Sequence, residues 1–330
     1  MATQTLPSGK KKESSWALLP SNKLARREAI WFWVFISPWV IGFLVFTLYP
    51  ILASAYYSLT VYNISSPPRW AGFDNYVSLW KDRVFWKSLQ VTSYFTLLSV
   101  PLGIVLGIAL AVLLNQKVPG VGVFRTLYYL PSLMAGSVAV ALLFSWLLNP
   151  QFGVINLFIR NLVGTNGLIP LGWNGPRWLQ DPNWVIPAYT MMSLWGFGST
   201  MLIYLSALQG VPTALYEAAE IDGANRIQRF FRVTIPMISP VILFTFITGV
   251  IGAFQQFTQA YVISNGDGSP AYASMFYNLY LFLNAFRRYR LGMASAQAWI
   301  LMVIVLLLTV AMFWVSRRYV YYESDEEGGI

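Results

Sequence analysis

Few side chains in this sequence could make or break a bond. Its 330 residues include no Cys and no His. That excludes thiolate nucleophiles, disulfides, imidazole bases, zincin motifs and Ser-His-Asp triads. A phosphate cradle needs Gly-x-x-x-x-Gly-Lys-Ser/Thr, and the Gly9-Lys10 pair lacks the earlier glycine at that spacing. Hydrogen bonding, stacking and docking remain. Gln255, Gln256 and Gln259 stand beside Phe254 and Phe257 in an apolar run. A buried amide in lipid is costly unless paired, so the Gln255-Gln256 pair is expected to face a wet cavity; the plainer alternative is interhelical bonding that only stabilises packing. Trp195-Gly196-Phe197-Gly198-Ser199 sets glycines beside aromatics and should loosen a helix there. A third cluster, Glu217-Ala218-Ala219 with Asp222-Gly223, is followed by Arg226, Arg229 and Arg232, spaced by three.

The elements that carry these residues are membrane spans. Hydrophobic residues make up 56% and charged residues 11%, less than half the roughly 25% charge of soluble domains. The net charge of +9 comes from basic residues flanking apolar segments, not from a soluble basic face, which argues against nucleic-acid binding. Segments at about 30–49, 89–114, 123–148, 184–208, 238–264 and 296–316 pass the length and apolarity test. The expected organisation is a disordered basic tail over 1–27, a transmembrane domain over 28–318 and an acidic tail over 319–330. The first apolar stretch runs about 20 residues, beyond the roughly 7–15 of a signal-peptide core, so it is expected to stay as a helix. Lys and Arg are more numerous in the segments placed inside when the N-terminus is cytoplasmic, so both termini are expected there. Outside, residues 50–88 should form a structured loop with a short helix. Val154 to Leu162 should form another, and Trp173, Trp178 and Trp184 should fit an outer aromatic belt. Gly103-x-x-x-Gly107 should pack within its own bundle.

Residues 210–236 predict a helix-turn-helix on the membrane surface. Pro212 stops the preceding span, Thr213 can cap, and Asp222-Gly223 breaks the first helix. In the second helix, Ile227, Phe230 and Phe231 should pack on the bundle while the arginines meet lipid phosphates. Pro236 should end it, and Pro240 should open the next span. The small Ala218-Ala219 pair admits another surface closely, and Glu217 offers a handle for a basic partner. The residues alone are equally compatible with an ordinary connector.

Glu217-Ala218-Ala219, Gly223 six positions after the Glu, and Val233-x-Ile235-Pro236 together resemble the EAA loop of ABC importer permeases. Val233 and Ile235 replace the Ile and Leu of that pattern. Arg125-Thr-Leu-Tyr-Tyr-Leu-Pro131, Trp146 to Asn156, Gly72-Phe-Asp-Asn-Tyr76 and Asn265-Gly266 are similar to the carbohydrate-uptake branch, of the maltose and glycerol-3-phosphate type. The resemblance covers residues from about 28 to 318. It implies an all-α, six-transmembrane-helix permease bundle with a cytoplasmic coupling loop, in a prokaryotic cytoplasmic membrane. It also implies a non-catalytic subunit that pairs with a second homologous permease and with two copies of an ATPase, which bind the ATP and Mg. An extracytoplasmic binding protein would deliver the sugar. Glu217, Ala218, Ala219, Asp222, Gly223 and Pro236 would couple to the ATPase. By the same resemblance, Trp195, Gly196, Ser199 and Gln256 fall at sugar contacts, with Phe254 and Gln255 beside them. Gly249, Gly252 and Ala253 match further contact positions but are small.

The alternatives are a permease for glycerol-3-phosphate or a related phosphodiester, a self-sufficient secondary transporter, and an intramembrane enzyme. A secondary transporter would need ionisable groups within its spans, and no span has an acidic residue in its interior. The enzyme lacks His, Cys and a membrane pair of Asp residues.

Overall fold

The computed structural model describes residues 23–317 and 320, except 117, 165, 166, 170 and 174. The expected tail over 1–22, most of 319–330, and the orienting residues Lys117 and Arg318 lie outside the described residues.

Two compact units divide the chain, Met1–Tyr56 and Tyr57–Ile330. The first contributes α1 (Lys23–Phe43), a π-turn (Leu44–Leu48) and most of α2 (Tyr49–Ser58). This corrects the expected basic tail, because Lys23, Arg26 and Arg27 already lie in the first helical turns. No residue of α1 is buried. An apolar helix suits a membrane setting, because its backbone bonds close within the segment.

The second unit holds everything that positions the candidate site. A hairpin comes first, β1 (Thr60–Asn63) antiparallel to β2 (Ser66–Trp70), with Thr60 opposite Trp70. Then come α3 (Asp74–Lys81), α4 (Arg83–Leu114), α5 (Val121–Tyr129), a 3-10 turn (Leu130–Met134) and α6 (Val138–Leu147). Next are α7 (Val154–Val163), α8 (Val185–Leu194), α9 (Phe197–Gln209), α10 (Thr213–Ile221) and α11 (Arg226–Arg229). A π-turn (Phe230–Thr234), α12 (Ile235–Met237), α13 (Ser239–Phe254) and α14 (Thr258–Ile263) follow. The chain closes with α15 (Tyr277–Phe282), a π-turn (Leu283–Arg287) and α16 (Leu291–Ser316).

Among the described residues, Lys23–Ser58, Arg83–Leu114, Ser239–Ile263 and Leu291–Ser316 are the helical stretches long and apolar enough to cross a bilayer; counting each of two bent pairs as one span makes six. The segment expected as one span over 123–148 turns by 105° between Val121–Met134 and Val138–Leu147. Pro131 lies in its 3-10 turn. Gly136 takes φ +78°, which a side chain disfavours, and Ser137 then caps α6 by accepting from the Val140 amide. The segment over 184–208 is bent by 50° between α8 and α9.

α4 is the central post, packing against α8, α9, α13 and α15. Ser88, Thr92 and Thr96 return their hydroxyls to carbonyls three or four residues back, at 2.7–2.8 Å. The polar atoms of this buried face are thereby satisfied without water. Phe95 and Tyr189 meet Phe276 edge-on at ring-centroid distances of 5.2 and 5.1 Å.

The outer segments are tied by buried amides. Asn75 donates to the Ser58 and Thr60 carbonyls, each at 2.8 Å, which gives the Asn of Gly72-Phe-Asp-Asn-Tyr76 its role. Asn156, 1% exposed, accepts from Trp178 Nε1 at 2.7 Å and donates to the Pro176 carbonyl at 3.0 Å. Trp178 is therefore buried, which corrects its expected place in an aromatic belt. Asn265 and Gly266 both take positive φ; Arg287 holds that turn through their carbonyls and lies over the Tyr261 ring. Beside it, the Ser269 amide donates to the Asp267 carboxylate at 2.8 Å and holds that carboxyl below the usual range.

Candidate functional site

Two regions gather the residues singled out by type and spacing. The first is a cavity of about 230 Å³ between α4, the α8–α9 bend and the end of α13. Ser99 and Gly103 of α4, Ser193 of α8, Gly196 at the bend, Gly249 of α13 and Gln256 beyond it are among its lining residues. The lining contains no charged side chain.

The cavity lies where two helical runs break. α8 ends at Leu194 and α9 begins at Phe197. Two glycines there are required for space. A Cβ on Gly196 would stand 2.9 Å from Ala135 Cβ, and one on Gly198 would run into the backbone of Tyr128 and Tyr129. α13 ends at Phe254, and Gln255–Phe257 are not helical before α14 begins at Thr258. Irregular backbone at membrane depth is tolerated where it is buried in protein or lines a cavity. Small residues keep the chamber open: a Cβ on Gly249 would approach Val100 Cγ1 to 3.1 Å, while one on Gly252 would meet nothing within 4 Å. Gly107 packs inside the bundle, where a Cβ would come within 3.2 Å of Thr200 and the Tyr204 ring.

Of the six residues named for the path, Gly196 and Gln256 line this cavity. Gln256 Nε2 donates to Gln259 Oε1 at 2.5 Å. The other four stand elsewhere. Trp195 meets Phe144 edge-on at 5.6 Å and is 36% exposed. Ser199, also exposed, donates to the Gly196 carbonyl at 3.1 Å. Phe254 is a buried core residue, and Gln255 lines a separate groove with Asn278 and residues of α16. The two adjacent glutamines thus part to different faces. Sequence reasoning missed Ser99, Gly103 and Thr200 as lining residues, because small and hydroxyl residues inside a span carry no signal until the neighbouring helices are placed.

The second region is the 210–236 loop. α10 begins after Pro212, without a side-chain cap, so Thr213 is the first helical residue and not the cap. α10 ends in a Schellman motif: the Gly223 amide donates to the Glu220 carbonyl at 3.0 Å and the Ala224 amide to the Ala219 carbonyl at 2.9 Å. Gly223 takes φ +78°, and a Cβ there would meet nothing within 4 Å. Backbone conformation, not crowding, selects glycine here. Glu217 and Ala218 are exposed on α10, as is Asp222 at its end, and Ala219 is half-buried.

The second helix opens with a capping box between Asn225 and Gln228, legible in Asn-x-x-Gln but not read from it. It does not end at Pro236, as the sequence suggested. Helical structure runs through the π-turn and α12 to Met237, and the break falls at Ile238. Its apolar face is also split. Phe230 packs on the bundle with Tyr216 and Val233, whereas Ile227 is 71% and Phe231 64% exposed. Arg229 pairs with Glu220 at 2.7 Å, and the Tyr216 and Thr234 hydroxyls join the two helices at 3.0 Å.

Residues 100–321 match the family model described as binding-protein-dependent transport system inner membrane component. A probable ABC transporter permease of Bacillus subtilis (strain 168), YesP, is 41% identical over 94% of this chain and 97% of its own. The lactose transport system permease protein LacF of Rhizobium radiobacter is 36% identical over 87% of this chain and 94% of its own. The fold is similar to a chain in the crystal structure of a bacterial alginate ABC transporter complexed with an alginate pentasaccharide-bound periplasmic protein. That match has a TM-score of 0.74 and 24% identity, covering 88% of this chain and 96% of that one.

Proposed function

This chain belongs to the family of binding-protein-dependent transport inner membrane components, and from that premise we propose that it forms half of a translocation path for a sugar or oligosaccharide. The observation that carries the reading is the neutral cavity at two helix breaks. Broken helices commonly build substrate sites in transporters, and a neutral polyhydroxy solute asks for amides, hydroxyls and small residues instead of counter-charges. A glycerol phosphate would need cationic partners, and none lines this cavity.

In this reading six spans cross the membrane, each bent pair counting as one, with both termini cytoplasmic. A second homologous permease completes the path, and exposed Trp195 and Ser199 lie on surface available to it. An extracytoplasmic protein delivers the solute. Glu217, Ala218 and Ala219 seat α10 in a cleft of each ATPase, and Gly223 makes the turn that returns the chain to the bundle. Exposed Ile221, at 88%, gives that contact apolar area. Catalysis lies elsewhere, because the sequence has no Gly-x-x-x-x-Gly-Lys-Ser/Thr cradle for ATP.

The test is uptake of labelled sugars by proteoliposomes holding the complete complex and its cognate binding protein. ATP-dependent accumulation of a saccharide supports the reading, as does the absence of ATP hydrolysis by this chain alone. Uptake without ATP or the binding protein would overturn it.

A further inference from the structure

A second cavity lies under the coupling loop, away from the proposed solute path. It holds about 270 Å³ between the ends of α4 and α9 and the two loop helices. We infer that it binds a phosphate-bearing anion, with Arg226 and Arg229 as counter-charges. Its walls divide by chemistry. Val112, Leu208 and Phe230 are apolar, while Tyr216 and the two arginines are polar. No Asp or Glu lines it. Glu220 pairs with Arg229 from outside, its side chain 70% exposed. Arg226 has no ion-pair partner among the described residues.

Glu220 already offsets Arg229, so Arg226 is the guanidinium left to answer an anion in the cavity, with Arg229 three residues on as the second donor. The guanidinium fork matches phosphate oxygens in pairs. The hydrogen-bonded Tyr216 and Thr234 hydroxyls also stand at the cavity wall, so one can turn its proton toward a ligand oxygen. The apolar walls suit a glycerol and the first carbons of an acyl chain. A phosphate ester is therefore the ligand chemistry, supplied by an anionic lipid headgroup or by phosphate from solution. Bound there, it would tie the loop's second helix to α4 and α9. The inference stands whether or not the loop docks an ATPase.

The experiment uses the full-length chain, delipidated in neutral detergent, with native mass spectrometry and thermal unfolding as readouts. The probes are phosphatidylglycerol, phosphatidylcholine and inorganic phosphate. Phosphatidylglycerol should bind the wild-type chain in preference to phosphatidylcholine. Arg226→Gln should weaken that binding about tenfold, the size of one lost charge-assisted hydrogen bond. Arg226→Lys should keep most of the binding. Arg232→Gln should leave it unchanged, because Arg232, exposed like Arg226, does not line the cavity. A thermal shift with inorganic phosphate that Arg226→Gln removes would support the same site filled from solution. Equal binding of both lipids with no phosphate effect would overturn the inference, and so would equal losses in Arg226→Gln and Arg232→Gln, which mark general surface charge.

Discussion

At the bend between α8 and α9 glycine is required for space, whereas at the turn after α10 it is required for its backbone. Gly196 and Gly198 have φ in the ordinary range, but a single added carbon would strike Ala135 or the chain at Tyr128–Tyr129. Gly223 has open space around it and a φ of +78°. The first region is an open, neutral cavity whose shape depends on helices touching. The second is an exposed, charged element whose shape is set locally and which, in the proposed assembly, docks an ATPase subunit. Crowding the glycines of the first should therefore damage the chain's own packing, and changes in the second should damage assembly.

The largest effect is expected from Gly198→Val. Overpacking a crowded site typically costs about 1–3 kcal/mol. Here the obstacle is main chain that cannot rotate aside, so the cost should lie at or above the upper end. Detergent-purified chain should unfold at markedly lower temperature or fail to accumulate; wild-type stability would break the account of the bend. Gly223→Asp should come next. Forcing a side chain into the left-handed region costs about 1–2 kcal/mol, and the substitution adds charge beside the surface proposed to dock the ATPase. Uptake should be lost while the chain still inserts in the membrane. Gly223→Ala should do less, since only the backbone term remains.

Gln256→Ala should reduce sugar uptake several-fold with the complex intact, whereas Gln255→Ala, in the separate groove, should change it little. Equal effects would erase the distinction drawn between these neighbours. The smallest effect on the chain itself is expected from Ala218→Leu. Ala218 is exposed, so the isolated chain's unfolding temperature should stay the same while ATPase recovery falls. A matching fall in stability would show that this face packs on the bundle.

What could be read from sequence follows the same division. The turn at Asp222-Gly223 and the helix over 213–221 depend on neighbours within a few residues, so residue types sufficed. The short helix at Val154–Val163 was legible for the same reason, from apolar spacing alone. The bend within 121–147 was missed, although Pro131 and Gly136 were in view, because a long apolar run looks the same whether straight or folded back. Both glutamines at 255 and 256 were expected to face one cavity, but α13 ends at Phe254, just before them, and the irregular backbone that follows turns them to different faces. Ile227 and Phe231 were assigned to the bundle from apolarity, which does not tell an interior partner from a second chain. The hairpin at Thr60–Trp70 was hidden by the unusual Pro67-Pro68 in its second strand; proline removes a ladder donor and is tolerated only at an edge.

The most direct test of this division of labour is the amount of ATPase subunit recovered per permease when the complex is purified through this chain. The account predicts wild-type recovery for Gln256→Ala, despite its reduced uptake, and a collapsed ratio for Gly223→Asp. Equal recovery in both variants would contradict it, because the loop would then be only a connector.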